Sequence, residues 1–301
     1  MAFTLSVDRI DQNGRELLTY GSEDFPIAFF DDDLTSVNVP YHWHDEFEIV
    51  IITEGSVQVR IAGKEFKLTA GDGYFSNSGS LHAETLITPT GHQHALVFSP
   101  KIISQCDDLI WKTYVLPVLE NNQLPFLQLS SSVTWQKEIL RLAETAWNSG
   151  GYETADYPLV VRSCLSKAIS LISHHMGDLK SEFHFTDRFR RDEERIKQAL
   201  VFIESNYGES VTIDDIAKNA NVSTSTCLRL FRTVLNTTPI AYLLVFRLQR
   251  ALEELKQNDS RTISEIAYSC GFSDASYFNR RFRKEYGITP TEYISKHRIP
   301  D

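Results

Sequence analysis

The sequence predicts a mixed fold in two domains: a small antiparallel β-barrel followed by accessory helices, then an all-α domain of two helix-turn-helix units joined by a linker helix. Three observations carry that expectation. Short β-branched and aromatic runs broken by glycines fill about residues 25–100, the apolar period lengthens to about 3.6 after Pro100, and the last third of the chain repeats itself at an offset of about 50 residues. A chain of 301 residues has room for two domains at about 150 residues each, and 42% hydrophobic with 23% charged residues excludes disorder, collagen and coiled-coil rods.

In chain order, residues 1–16 contain no continuous apolar h-region, and no later stretch reaches the roughly 18 apolar residues that span a bilayer. A cytoplasmic protein with no membrane partner is therefore expected. The strand runs include Phe47–Thr53, Val57–Ile61 and Ala95–Phe98, with glycines at 55, 63, 71, 73, 79 and 91. Many short strands at even spacing suggest an antiparallel barrel or sandwich. Helical spacing follows at Ile139, Leu142, Ala143 and Ala146, then at Leu165, Ala168, Ile169 and Ile172, predicting helices around 133–148 and 157–176 in an N-terminal domain of residues 1–176. The polar stretch 177–192 has no clear period and reads as a linker ahead of a C-terminal domain at 193–301.

Two smaller features are read blandly. The four cysteines, Cys106, Cys164, Cys227 and Cys270, form no Cys-x-x-Cys pair, which removes a zinc ribbon or thioredoxin-like motif and leaves them reduced and mostly in the core. The run Asp31-Asp32-Asp33 reads as a solvated turn, because calcium binding needs further ligands that the sequence does not offer nearby.

Net charge is −10, which taken over the whole chain argues against a phosphate-bearing partner. The charge is unevenly placed. Residues 1–189 hold 13 Lys/Arg against 25 Asp/Glu, a net of −12, whereas residues 190–301 hold 17 against 15, a net of +2.

The C-terminal repeat aligns Thr212-Ile-Asp-Asp-Ile-Ala with Thr262-Ile-Ser-Glu-Ile-Ala at an offset of 50, and after one extra residue Arg229, Phe231, Pro239 and Tyr242 with Arg280, Phe282, Pro290 and Tyr293 at 51. Each copy has helix-turn-helix anatomy. Thr212 with Asp215, and Thr262 with Glu265, have the spacing of a capping box. Asn221-Val222 and Cys270-Gly271-Phe272 supply a turn, and Ser223 or Asp274 caps a second helix. Its buried side carries Cys227, Leu230 and Phe231, or Phe278 and Phe282. Between the copies, Ile240, Leu243, Leu244, Leu248, Ala251, Leu252 and Leu255 keep helical spacing from Pro239 to about Gln257. Such a rod is about 27 Å long, near the roughly 34 Å between successive major grooves on one face of DNA.

Residues 195–297 resemble the DNA-binding domain of the AraC/XylS family of bacterial transcription regulators. The motifs are Gly271-Phe272-Ser273-Asp274-x-Ser276-Tyr277-Phe278-x-Arg280-x-Phe282 and Gly287-x-Thr289-Pro290-x-x-Tyr293. Copy one departs from the family at Cys227, usually Leu, at Asn236, usually Gly, and at Thr224, often Pro. By this resemblance the base-reading positions are Ser225, Leu228 and Arg229 in the first recognition helix and Ser276, Asn279 and Arg280 in the second. Arginine can pair with guanine and asparagine with adenine in the major groove. The competing reading makes the two arginines surface, salt-bridged or phosphate-contacting residues.

The N-terminal run Tyr41-His42-Trp43-His44-Asp45-Glu46-Phe47-Glu48, with Gly55 and then Gly71, Asn77, Gly79 and His82, resembles the two cupin motifs, with Asn77 and Leu86 departing from the second. The resemblance implies a cupin-like jelly roll over about residues 25–100. On a strand His42 and His44 share a face, and Glu48 and His82 complete a set suited to a divalent transition metal. Three readings stay open: a metal site, an effector pocket lined by these residues with Tyr41 and Trp43 nearby, and a structural hydrogen-bonded cluster. Fusion to a DNA-binding domain favours the effector pocket and a sensor rather than an enzyme, with no cofactor required. The reading taken is a regulator whose barrel binds a small-molecule effector and whose flanking helices form a homodimer. It binds operator DNA, works with RNA polymerase and, as is commoner in the family, activates. Effector occupancy is expected to shift the population between arrangements suited to different half-site spacings. The alternative is a metal-dependent cupin enzyme joined to a DNA-binding domain.

Overall fold

A computed structural model describes residues 3–4, 21–22, 24–37, 39–106, 108–179, 187–256 and 261–297. They form two compact units that divide between Arg190 and Arg191.

The first unit holds the strands β1 (Phe3–Thr4), β2 (Ile27–Asp33), β3 (Val39–His42), β4 (Phe47–Glu54), β5 (Ser56–Ile61), β6 (Lys64–Thr69), β7 (Gly73–Ser76), β8 (His82–Leu86) and β9 (His92–Phe98). After a short helix, α1 (Leu116–Leu119), come β10 (Phe126–Leu129) and two long helices, α2 (Thr134–Gly151) and α3 (Tyr157–Leu179). The strands build two sheets, one in the order β1-β2-β9-β4-β7-β10 and one in the order β3-β8-β5-β6. Apart from the parallel β1/β2 pair, the described ladders are antiparallel.

Strand alternation sorts the six-stranded sheet into two apolar faces. Ala28, Phe30, Val50, Ile52, Tyr74, Ala95 and Val97 join Val57, Val59, Ile61 and Leu68 of the smaller sheet in one core. Ile27, Phe29, Ile49, Ile51, Phe75, Leu96 and Phe98 belong to a second core with Ile139, Ala143 and Ala146 of α2 and Leu165, Ala168 and Ile172 of α3. Two-sided burial explains why β4 reads as a continuous apolar run. The α2 helix packs tightly on β2: a Cβ at Gly150 would lie 2.0 Å from the Phe29 ring, and the Trp147 indole donates to the Phe30 carbonyl at 2.8 Å. Asn77 donates to the carbonyls of Val118 and Leu124 at 2.8 and 2.9 Å, tying the β7–β8 turn to α1 and β10.

The second unit contains α4 (Asp187–Asn206) from Arg191 onward, α5 (Ile213–Asn219), α6 (Thr224–Val234), α7 (Pro239–Lys256), α8 (Ile263–Ser269), α9 (Ala275–Tyr286) and α10 (Pro290–His297). Both capping boxes form, from Thr212 with Asp215 and from Thr262 with Glu265. Asn221 and Gly271 occupy equivalent left-handed positions, at φ 52° and 80°, in the two helix-turn-helix turns. At Gly271 a Cβ would also sit 2.2 Å from the Tyr207 carbonyl oxygen, so only glycine fits there. Asn236 repeats the device after α6, at φ 50°, where Gly287 follows α9 at 75°. Leu248, Ala251 and Leu255 of α7 share a core with Ile266, Ala267, Cys270, Phe272, Phe278 and Phe282. Burying each phenylalanine contributes about 2 kcal/mol.

The structure corrects three expectations. The acidic run 31–33 is the end of β2, not a solvated turn; Asp32 is buried, because the ladder with β9 extends through Asp33. The stretch 177–192 is helical at both ends, in α3 and α4, and its residues 180–186 lie outside the described residues. Its charge density hides the apolar spacing of α4, whose buried hydrophobic residues among those described are Ile196, Ala199, Leu200 and Ile203. Strand β10, within the region expected to be helical, is four residues long and pairs with β7. Among the cysteines, Cys164, Cys227 and Cys270 are buried and Cys106 is exposed, all as free thiols.

Candidate functional site

The polar residues between the sheets come from both of them. Antiparallel pairing sets His42 of β3 opposite His82 of β8, and Glu48 has the parity of the inward-facing Val50 and Ile52 on β4. His44 follows β3. All four side chains are buried. Each imidazole is held through Nδ1 by a main-chain carbonyl: His42 by Pro40 at 2.9 Å, His44 by Glu46 at 3.2 Å and His82 by Ser80 at 2.8 Å. A carbonyl only accepts, so Nδ1 carries a proton in each ring, and Nε2 is the atom through which a ring can meet a carboxylate or a metal. Ring centroids are 4.1 Å apart for His42 and His82 and 5.3 Å for His44 and His82. The Glu48 carboxylate lies 2.9 Å from His82 Nε2 and 3.5 Å from His44 Nε2. Burial disfavours its charge, but His82 and His44 outweigh that and hold Glu48 well below the usual carboxylate range.

The three histidines each offer a ligand atom within 4.8 Å of the others. Three imidazoles with oriented Nδ1 atoms and one carboxylate fit a divalent transition metal by donor chemistry. Tyr41, on β3, and Trp43, just after it, alternate with His42 and His44 along the chain; both are half-buried, and the charges that act on the Tyr41 hydroxyl are those of Arg60 and Glu65. Burial pushes that hydroxyl up to about 12.

Beside the histidines lies a second polar group, of which sequence reading missed Glu84, Asp32 and Gln93. Glu84 of β8, Asp32 of β2, Gln93 of β9 and Tyr74 of β7 are all buried. Tyr74 donates to Glu84 at 2.6 Å and Gln93 to Asp32 at 3.4 Å. Burial pushes the Glu84 carboxyl up to about 8, the Tyr74 hydrogen bond works against it, and Glu48 and Asp32 push it further up. Asp32 and Gln93 share parity with Ala28, Phe30, Ala95 and Val97, which is the one sequence signal that could have placed them inward.

In the second unit, α6 and α9 are the second helices of the two repeats. Ser223 accepts from Thr226 N–H at 3.3 Å and Asp274 from Tyr277 N–H at 2.7 Å, so both helices start on a capped turn. On α9, Phe278 and Phe282 are buried while Ser276, Asn279 and Arg280 are exposed together. On α6, Ser225 is exposed and Leu228 half-buried. Arg229 is held by Asp192 of α4, with both terminal nitrogens 3.4 Å from one carboxylate oxygen.

Comparison with known proteins agrees with this division. Residues 216–296 match the model of a helix-turn-helix domain, and residues 25–101 match that of the AraC-like ligand binding domain. A Bacillus subtilis protein described as an HTH-type transcriptional regulator, YdeC, is 30% identical over 94% of this chain and 97% of its own. The transcriptional activator RhaS of Pectobacterium carotovorum is 23% identical over 83% of this chain and 86% of its own. A solved AraC-type DNA-binding regulator from Chromobacterium violaceum is 34% identical over 36% of this chain and 95% of its own, at a TM-score of 0.33.

Proposed function

Because the chain belongs to the AraC family of HTH-type transcription regulators, we propose that it reads an operator in double-stranded DNA through α6 and α9 and takes a small-molecule effector between its two sheets. The observation that carries the DNA half is the joint exposure of Ser276, Asn279 and Arg280 on a helix whose other side is anchored by Phe278 and Phe282. Hydroxyl, carboxamide and guanidinium groups are the donor and acceptor set that reads base edges in a major groove. Ser225, Leu228 and Arg229 take the equivalent role on α6.

For the effector half, the contact residues are His42, His44, Glu48 and His82, with Glu84, Tyr74, Asp32 and Gln93 completing the polar lining. A buried set that mixes imidazoles, a protonated carboxyl and a charged carboxylate offers donors and acceptors to a polar ligand. Tyr41 and Trp43, half-buried next to His42 and His44 in sequence, stand at the edge of this lining. The convergence of the histidines favours a second reading, in which His42, His44, His82 and Glu48 hold a divalent metal that binds the effector as a Lewis acid. Metal content of tag-free wild type and His44→Ala separates the two.

The protein acts in the cytoplasm as a homodimer through α2 and α3, together with RNA polymerase. RhaS is described as an activator, which supports activation as the mode. The decisive experiment is selection of a cognate duplex followed by Arg280→Ala. Loss of about 1–3 kcal/mol at that duplex, with relaxed preference at one base pair, is expected. Equal loss on all sequences makes Arg280 a phosphate contact.

A further inference from the structure

We propose that Asp31, His92 and His94, backed by Glu144, form a second binding site, for a divalent transition-metal ion, on the helix-facing side of the six-stranded sheet. The register of β2 against β9 pairs Asp31 with His94 and Asp33 with His92, so alternate residues of β9 meet Asp31 on one face. That face is opposite to the one carrying Asp32 and Gln93, which point between the sheets. The new cluster is therefore separated from the His42, His44 and His82 group by the thickness of the sheet.

The geometry is that of a ligand set. Nε2 of His92 lies 2.5 Å, and Nε2 of His94 3.7 Å, from the same Asp31 oxygen. Each of the three residues offers a ligand atom within 4.8 Å of the others. Metal–nitrogen and metal–oxygen bonds near 2.0–2.1 Å in a tetrahedral site put neighbouring donors about 3.3 Å apart. The Asp31–His92 pair has to open slightly and the Asp31–His94 pair to close slightly, within the reach of side-chain torsions.

The residues behind the ligands are also in place. Nδ1 of His94 is 3.0 and 3.1 Å from the two Glu144 carboxylate oxygens, and its ring stacks on Trp147 with centroids 3.4 Å apart and planes 8° from parallel. Glu144 thereby commits Nδ1 and leaves Nε2 for the ion, the carboxylate–histidine arrangement that orients metal ligands and raises their basicity. Asp31 is 39% and His92 35% exposed, leaving an entry path and a fourth position for water. Two imidazoles and one carboxylate select zinc and its neighbours over calcium or magnesium, which prefer all-oxygen sites. An ion there links β2 and β9 to α2 through Glu144.

The test is Co²⁺ titration of the full-length, tag-free protein by visible absorption, with wild type compared to His92→Gln and Asp31→Asn. Thermal unfolding in chelator first establishes that the variants fold as wild type does; these side chains are partly exposed, so that is expected. Wild type should bind one equivalent more than either variant, with a band of nitrogen and oxygen ligation, and Zn²⁺ should raise its Tm more than theirs. Equal stoichiometry and equal Zn²⁺ shifts in all three proteins reduce the cluster to an ordinary ion pair and overturn the proposal. A thiolate charge-transfer band that persists in His92→Gln assigns the ion to Cys106 and overturns it as well.

Discussion

Arg229, proposed above to read DNA, illustrates how one contact can set the state of a side chain. Its guanidinium is 3.4 Å from Asp192, whose side chain is 12% exposed against 41% for the arginine. A half-exposed pair of this kind contributes only about 0–1 kcal/mol to stability. Its larger effect is on availability, since Arg229 must exchange the carboxylate for a base edge or phosphate. Asp192→Asn is expected to raise affinity several-fold for the same duplex at low salt, with the gap narrowing as salt screens the charge. Weaker binding in fluorescence anisotropy would show instead that Asp192 holds Arg229 in its reading position. The acidic run was less legible than this arginine: three consecutive aspartates have the composition of a turn, and only their register against His92, Gln93 and His94 shows that Asp31 and Asp32 serve opposite faces of a sheet.

At the scale of elements, the caps carry most of what the sequence specified. Thr262 accepts from Glu265 N–H at 3.2 Å and its own N–H donates to the Glu265 carboxylate at 2.7 Å, so two donors at the α8 start are satisfied at once. Thr262→Ala should cost about 1 kcal/mol in chemical denaturation, with little effect on the first unit. The matching carboxyl Asp215 is held below its ordinary value by Thr212. A lowered native value means that this stabilisation is complete above the unfolded carboxyl range and is lost only as pH falls through the native one. The cap contribution at α5 should therefore be flat from neutral pH down to about pH 4 and disappear in stronger acid. Repeats, capping boxes and left-handed turn residues are local signals, and α5, α6, α8 and α9 were legible from them. The α4 helix starts in a charged segment, and β10 needs its partner Phe75 across a long connection before it is recognisable as a strand. The inward acids Asp32 and Glu84 were hidden for the same reason: only tertiary pairing gives a polar residue a buried side.

For the whole molecule, charge is divided with function. A net of −12 before residue 190 and +2 after it leaves the DNA-binding unit with little field of its own. Non-specific DNA affinity should be weak and should fall steeply with salt, because it rests on phosphate neutralisation alone. The operator complex should retain more of its affinity over the same salt range, since base contacts remain; anisotropy on cognate and scrambled duplexes checks both. Tight, salt-insensitive binding to scrambled DNA contradicts the reading.

The α7 helix, packed against α5, α6, α8 and α9, acts like the shaft of a two-wheel gear. Its 18 residues complete five turns of about 3.6 residues each, so the two reading helices are locked in angular phase as well as in distance. Inserting one residue would advance one wheel by about 100° while lengthening the shaft by only about 1.5 Å. Lengths of this helix that keep α6 and α9 in phase therefore come in whole turns.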